Sequence, residues 1–379
     1  MSKWRTVELS DLVDIHDSRR IPLSKAVRAS RSGPYPYYGA QGIIDHLDDY
    51  IFDGRFILIP EDGENLRSRK LPIAYFAEGK FWVNNHAHIV SAKPGIAVDR
   101  FVQSAIEATD VDPYITGAAQ PKLSQKNLRQ IQLSVPCLKT QEVIGEILDS
   151  LDDLLENNRR RIEVLEEMAQ VIYREWFVHF RYPGHEGTAF VDSLLGPIPE
   201  GWEVTTVGAV LELKYGKALK KADRAGGNTS VVGSSGVVGT HNEALLQGPS
   251  IVVGRKGNVG NVVWISGPSW PIDTTYYVKT DLPLRYVAEQ LKRAAFINSH
   301  AAVPGLSRDQ AYSVDFLRPD KGAMRQFEEI TALFGQATED LVAAAERLAS
   351  IRDLLLPKLV TGEIDVSELD LDSMLEAAP

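Results

Sequence analysis

Few residues in this chain of 379 are of types and spacings that could do chemistry. Asn84-Asn-His-Ala-His88 sets two histidines two apart, a spacing open to a metal. Alternation on a strand beside Trp82 reads more simply as ordinary polar or ligand-contacting side chains. Glu61-Asp-Gly63 could supply paired carboxylates for acid/base work. The one cysteine, Cys137, follows Pro136 and reads as a small buried hydrophobe rather than a nucleophile. Disulfide frameworks and Cys-rich zinc sites are excluded. Tyr215-Gly-Lys-Ala218 lacks the leading Gly and the Ser/Thr of a phosphate-binding loop, and no H-E-x-x-H or G-x-S-x-G occurs. What the sequence does concentrate is cation. Arg19, Arg20, Lys25, Arg28 and Arg31 stand against Asp17 alone, and Lys214, Lys217, Lys220, Lys221 and Arg224 against Asp223 alone. Such clusters suit anionic partners.

The formal net charge of −10 conceals these clusters. Residues 1–137 carry 17 basic and 16 acidic side chains, and residues 184–319 carry 13 and 12. The acid lies in residues 138–183, with 6 and 10, and in residues 320–379, with 5 and 13. With 44% hydrophobic and 24% charged residues the composition is that of an ordinary globular chain. No apolar run reaches the roughly 18 residues of a membrane span, and Met-Ser-Lys-Trp-Arg-Thr lacks the apolar core of a secretory signal. A reducing cytoplasm is the expected location.

The two basic clusters lie half a chain apart because the chain repeats itself. Tyr38-Gly-Ala-Gln-Gly-Ile-Ile44 matches Val232-Gly-Ser-Ser-Gly-Val-Val238, Gly54 matches Gly248, Ile57-Leu-Ile59 matches Ile251-Val-Val253, and Gly63 matches Gly257, all at one offset. Flanking anchors drift slightly: Trp4 to Trp202, Trp82 to Trp270, and Ala118–Ser124 to Ala301–Ser307. Glu61-Asp-Gly63 then corresponds to Arg255-Lys-Gly257, which excludes a duplicated acid/base site. The glycine scaffold is kept while the loop changes sign.

Each repeat begins with short strands punctuated by Gly and Pro, with helical stretches such as 285–298. After Pro136 and Pro319 glycine becomes scarce and apolar residues fall into heptads. The first seam is Ile144, Leu148, Leu151, Leu155, Asn158, Ile162, Leu165, Ala169, Ile172 and Trp176; the second is Ile330, Phe334, Ala337, Leu341, Ala344, Leu348, Ile351 and Leu355. A 3.5-residue period implies helix pairing. Asn158 either fixes register, faces a polar partner or frays into solvent. The expected architecture is a mixed α/β (α+β) chain. Two similar domains, 1–137 and 184–319, alternate with helical segments, 138–183 and 320–379, the latter ending in an acidic, small-residue tail. A pseudo-two-fold axis makes the long helices an antiparallel coiled coil, a rod on the order of 50 Å.

Several segments, weak singly and specific in their order, resemble a known family across nearly the whole chain. They are Pro36-Tyr-Tyr-Gly-Ala-Gln-Gly42, Ile57-Leu-Ile-Pro-Glu-Asp-Gly63, Val83-Asn-Asn-His-Ala-His88, Gln120-Pro-Lys-Leu-Ser124, Pro136 with Thr140-Gln141, and Ile172-Tyr-Arg-Glu-Trp-Phe177. The second half adds Leu195-Gly-Pro-Ile-Pro-Glu-Gly-Trp202, Gly254-Arg-Lys-Gly-Asn-Val-Gly260 and Leu356-Pro-Lys-Leu-Val-Thr-Gly-Glu363. The chain is similar to specificity (S) subunits of type I restriction-modification systems. The resemblance implies two target-recognition domains, each reading half of a bipartite double-stranded DNA site, and no active site in this chain. It further implies two methyltransferase (M) and two restriction (R) subunits as separate chains, bringing S-adenosylmethionine, ATP and Mg; the missing [DNS]-P-P-[YFW] motif agrees. One departure is that Val303 and Gly305 replace Gln120 and Lys122.

DNA reading needs phosphate anchors and shorter polar readers of base edges. Arg19, Arg20, Lys25, Arg28, Arg31, Lys214, Lys217, Lys220 and Lys221 are the expected anchors, each also readable as a solvated surface cation. Tyr38, Gln41, Glu61, Asn65, His86 and Lys122 are candidate contacts in the first domain, and Ser234, Ser235, Arg255, Lys256, Asn258 and Thr274 in the second. Arg255 could bond guanine and Glu61 could accept from cytosine N4. The Gly39/Gly42 and Gly233/Gly236 pairs would let backbone approach DNA, or simply make tight turns. Tyr173, Trp176 and Phe177 are candidate anchors for a methyltransferase, with intramolecular core as the alternative. A coiled-coil protein scaffold and a stand-alone DNA-modifying enzyme are the competing readings. Neither accounts for both the matched basic clusters and the absent catalytic motifs.

Overall fold

The computed structural model describes residues 4–118, 120–294, 296, 305–367 and 369. Two compact units emerge, Met1–Asn157 with Ala345–Pro379, and Asn158–Ala344. The division falls within the long helices rather than at their ends.

In the first unit, Arg5–Glu8 pairs antiparallel with Gln132–Val135 and so ties the start of the domain to its end. Phe56-Ile-Leu-Ile-Pro60 has no polar residue, so both faces need cover. It lies inside an antiparallel sheet ordered Val13–Ile15, Ala87–Ala92, Phe56–Pro60, Tyr75–Ala77. A second sheet is ordered Gly42–Leu47, Ser32–Gly39, Lys80–Val83, Phe52–Asp53, its middle pair parallel. Helix Asp99–Ala108 buries Phe101, Val102 and Ile106 in a core shared with Leu9, Ile57, Val90 and Leu133.

The second unit repeats this plan. Glu203–Thr206 pairs with Asp315–Arg318, and the antiparallel sheet runs Glu212–Tyr215, Thr275–Lys279, Ser250–Gly254, Val262–Ile265. Gly236–His241, Thr229–Gly233 and Ser269–Pro271 form the smaller sheet, again with one parallel pair. The pairing Leu58↔Ile89 recurs as Val252↔Tyr277, so the repeat holds to the residue. The helix expected over 285–298 is Leu284–Arg293; Ala295 and residues 297–298 lie outside the described residues, as do Val303 and the tail from 370 onward.

The heptad segments are helices of 40 residues, Leu138–Phe177, and 41 residues, Lys321–Thr361. In the first unit Val143, Ile144 and Leu148 share a core with Leu359 and Val360, and Arg352 Nη1 donates to Asp152 Oδ1 at 3.1 Å. In the second, Trp176 and Phe177 meet Phe327, with ring centres 6.2 and 5.2 Å apart. In each unit one helix's beginning thus meets the other's end, the antiparallel arrangement. Asn158 is buried. One seam position differs: Ile351 is 45% exposed, and Arg352 turns inward because Asp152 offers it a carboxylate. Cys137 also departs from expectation. It is exposed just ahead of the first helix, where its carbonyl accepts from the Thr140 and Gln141 N–H groups.

The C-terminal end of the second long helix is fixed by Gly362, at φ +78°. A Cβ there would lie 2.5 Å from Cε2 of Trp4. Gly79 has a similar φ of +73° but open space around its Cβ position. Gly79→Ala should cost about 1–2 kcal/mol from left-handed backbone alone. Gly362→Ala should lower the melting temperature further, through overlap with the indole; equal losses would sink the packing argument.

Candidate nucleic-acid interface

In the first unit the turn between Ser32–Gly39 and Gly42–Leu47 requires Gly42, at φ +112°. It carries exposed Gln41, whose Nε2 lies 3.6 Å from where a Cβ on Gly63 would stand. The hairpin tip therefore abuts the 61–64 loop. Glu61 N–H donates to the His86 carbonyl at 2.8 Å, exposed His86 holds Asp62 through Nδ1 at 2.7 Å, and Leu123 N–H donates to the Glu61 carbonyl at 2.8 Å. Gln41, Asp62, His86 and Lys122 thus gather around one loop. Tyr38 stands beside them half-buried against Phe81, and burial pushes its phenol up.

The first basic cluster is mostly consumed within the fold. Arg19 donates to the Ile51 carbonyl and covers the Phe52 ring. Arg20 pairs with Glu61 at 2.7 Å and Asp17 at 3.5 Å, Arg28 with Asp45 at 2.9 Å, and Arg31 with Asp48 at 2.8 Å. Of the five, only Lys25 has no ion-pair or hydrogen-bond partner among the described residues. Apart from Asp17, the balancing carboxylates lie on or just after later strands, which a count along the local sequence does not see. Asn65 is corrected as well: buried, it bonds both the carbonyl and the N–H of Leu71 and so pins a loop instead of facing a ligand. Glu61 is largely covered. Burial raises its pKa, but hydrogen bonds from Arg20 and Lys122 outweigh that and hold the carboxyl below its usual range. His88 is fully buried between Asp17, at 2.6 Å, and the Leu123 carbonyl, at 2.8 Å, a structural post rather than a metal ligand.

The second unit keeps more free cation. Lys214 pairs with Glu212, whereas Lys217, Lys220 and Lys221 are exposed with no ion-pair partner among the described residues. Ser235 is exposed at the hairpin turn, and the Ser234 carbonyl accepts from Asn261 Nδ2. The Gly254–Gly260 loop folds back so tightly that a Cβ on Gly254 would sit 2.0 Å from the Asn258 carbonyl oxygen. That turn leaves Lys256 and Asn258 exposed. The Thr274 carbonyl accepts from the Arg255 and Lys256 N–H groups at 2.9 and 3.0 Å. Arg255 donates to the Asp273 carbonyl at 2.7 Å and lies 5.3 Å from the Tyr215 ring centre; its Nε is buried without a partner. Half-exposed Tyr215 and Arg308, whose guanidinium lies 4.9 Å from the Tyr215 ring centre, were not anticipated. The signal for Tyr215 was its place between Lys214 and Lys217.

Tyr173, Trp176 and Phe177 are corrected from surface anchors to core. They are 2%, 8% and 3% exposed, packed against Tyr286, Trp202 and Phe327. The outward helix surface carries other apolar residues, among them Val164, Met168, Val171, Leu333 and Leu354. Among the described residues no cluster of His, Cys, Asp and Glu could hold a metal, and no helix is long and apolar enough to cross a membrane.

Comparisons with known proteins agree with this architecture. S.HindORF215P of Haemophilus influenzae is 35% identical over 153 residues, 40% of this chain and 38% of that one. The MjaIX type I restriction enzyme specificity subunit of Methanocaldococcus jannaschii is 22% identical over 346 residues, covering 81% of this chain and 79% of that one. In fold, the chain is similar to the crystal structure of a type I restriction-modification system S subunit from M. genitalium, with a TM-score of 0.60, 17% identity, and 95% and 96% of the two chains covered. The family model for the type I restriction modification DNA specificity domain matches residues 1–167 and 199–282, one stretch in each half of the repeat. With the duplicated domains and paired long helices already in view, the chain belongs to that family.

Proposed function

We propose that this chain is the DNA-reading subunit of a type I restriction-modification complex, each domain reading one half of a bipartite site. The observation that carries the reading is one scaffold used twice with different side chains at matched loops, Glu61-Asp62 against Arg255-Lys256. Exposed Lys25, Lys217, Lys220 and Lys221 supply phosphate attraction, and Gln41, His86, Ser235, Lys256 and Asn258 are the side chains placed to reach base edges. The apolar residues on the outward helix surfaces receive two methyltransferase subunits, with two restriction subunits joining the complex. S-adenosylmethionine, ATP and Mg enter with those chains, and the complex works in the cytoplasm, on the nucleoid.

In this reading the long helices set the unread gap. One heptad adds about 10.5 Å of helix, about three base pairs of B-DNA. Sequencing modified adenines in DNA from a host co-expressing this chain with its methyltransferase should give a bipartite motif. Inserting one heptad in each helix should lengthen the gap by about three base pairs and leave both half-sites unchanged. An unchanged gap would refute the spacer, and no motif from the natural chain would refute the reading itself.

A further inference from the structure

The repeat places two chemically opposite clusters at one structural position. Ile15 pairs with Val90 as Leu213 pairs with Val278, so two residues further along, Asp17 corresponds to Tyr215. By the sheet register His88 corresponds to Tyr276. The third leg corresponds too: His88 Nε2 meets the Leu123 carbonyl at 2.8 Å, and Tyr276 OH donates to the Leu306 carbonyl at 3.0 Å. Leu123 N–H donates to the Glu61 carbonyl, and Leu306 N–H to the Arg255 carbonyl. Even the flanking contact recurs, since Gln125 Nε2 donates to Asp17 at 3.0 Å where Arg308 lies over Tyr215.

The scaffold is thus one and its chemistry two. In the first unit the post is a hydrogen-bonded acid and histidine, and the loop above it carries Glu61 and Asp62. In the second the post is two tyrosines with ring centres 5.1 Å apart and planes tilted by 55°, and the loop carries Arg255 and Lys256. Arg20 and Lys122 cover Glu61, whereas the Asp62 carboxylate has only His86 as a partner among the described residues. Arg255, Lys256 and Arg308 have no carboxylate partner among the described residues. A post that fixes the loop backbone in the same way at Glu61 and Arg255 leaves Asp62, its side chain 20% exposed, and the exposed Lys256 at the same place on their domains with opposite charge.

We propose that this position determines specificity in both domains, reading the equivalent base pair of each half-site with opposite polarity. Asp62 accepts from an exocyclic base amine, cytosine N4 or adenine N6, and Lys256 donates to the acceptor edge of guanine. The inference rests on the DNA-reading function proposed above. It adds which position is read, and that one half-site presents a donor where the other presents an acceptor.

The test is the set of modified adenines made by the co-expressed complex with the natural chain, Asp62→Asn and Lys256→Gln. Both side chains lie outside the cores, and in each variant the untouched half-site reports that the complex has assembled. Discrimination at one base pair should fall about tenfold or more, in one half-site for Asp62→Asn and in the other for Lys256→Gln. The two affected base pairs should occupy the same place counted from the outer end of each half-site, an amine-bearing base in one and guanine in the other. An even loss over a whole half-site would make Lys256 a phosphate anchor and Asp62 a support of its loop, and no change would make them bystanders; either overturns the inference. So does complete loss of modification if the purified variant melts like the natural chain, because a single base-edge contact cannot abolish assembly. Should the variants themselves be unstable, Asp62→Glu and Lys256→Arg, which keep polarity, must restore the natural base preference, and failure to do so counts against it. A bipartite motif from the natural chain combined with such failures would leave the DNA-reading function standing and sink this inference alone.

Discussion

Asp17→Ala should destabilise the first compact unit by about 3–5 kcal/mol, the range for breaking a buried paired group. The Asp17 side chain is 3% exposed and accepts from His88 Nδ1 at 2.6 Å, Ile89 N–H at 3.0 Å and Gln125 Nε2 at 3.0 Å, with Arg20 at 3.5 Å. Alanine leaves those donors buried with nothing to receive them, so the loss exceeds that of one hydrogen bond. Thermal melting of the full chain should show the first unit unfolding earlier while the second is unmoved; a small shift would sink the argument. The same carboxyl gives a pH dependence. Burial raises its pKa, but the bonds from His88 and Ile89 N–H and the charges of His88 and Arg20 together hold it below the usual 3.8. Glu61 is likewise held below 4.5. A depressed carboxylate stabilises the fold above its ordinary pKa and loses that effect as pH falls through the lower folded value. The first unit should therefore keep these contributions at neutral pH and shed them progressively below about pH 4.5, and Asp17→Ala should flatten that acid limb.

A loss of similar size is expected in the second unit from Phe327→Ala. Phe327 is fully buried, and its ring centre lies 5.2 Å from Phe177, 6.0 Å from Tyr173 and 6.2 Å from Trp176. Removing a ring from such a cluster costs about 3–5 kcal/mol in transfer and cavity terms together. Trp176→Ala should act the same way, through the stability of the chain, because the indole is already covered. Denaturant titration separates the possibilities. A lowered midpoint in the isolated chain identifies core, whereas an unchanged midpoint with weakened methyltransferase binding would restore these aromatics as partner anchors.

The parts legible from sequence are those whose signals are local. Glycine anchors at a single offset exposed the repeat, and 3.5-residue spacing exposed the helices, because both patterns are fixed by neighbours along the chain. Charge pairing is not local. Arg28 and Asp45 are 17 residues apart and Arg20 and Glu61 are 41 apart, brought together by the fold, so of five cations clustered in sequence only Lys25 is left without an ion-pair or side-chain hydrogen-bond partner among the described residues. The aromatics after Ile172 failed for a related reason. Their spacing says that they share a helix face, and only the arrival of Tyr286 and Phe327 decides that the face is inside. Asn65 and Ile351 depart from the sequence reading because a pair of bonds to Leu71 and one inward arginine override residue type.

The first compact unit is built from both ends of the polypeptide. Leu359, Val360 and Val366 complete a core begun by Leu9 and Leu12, and Trp4 lies against Gly362. The second unit is one uninterrupted stretch, Asn158–Ala344. On a ribosome adding roughly 5–20 residues per second, the N-terminal strands wait tens of seconds for their last helix. The later-made unit can thus finish folding before the earlier one. A chain that terminates just after Ala344 carries the whole second unit and a first core that lacks Leu359, Val360 and Val366, leaving the apolar residues they cover open to water.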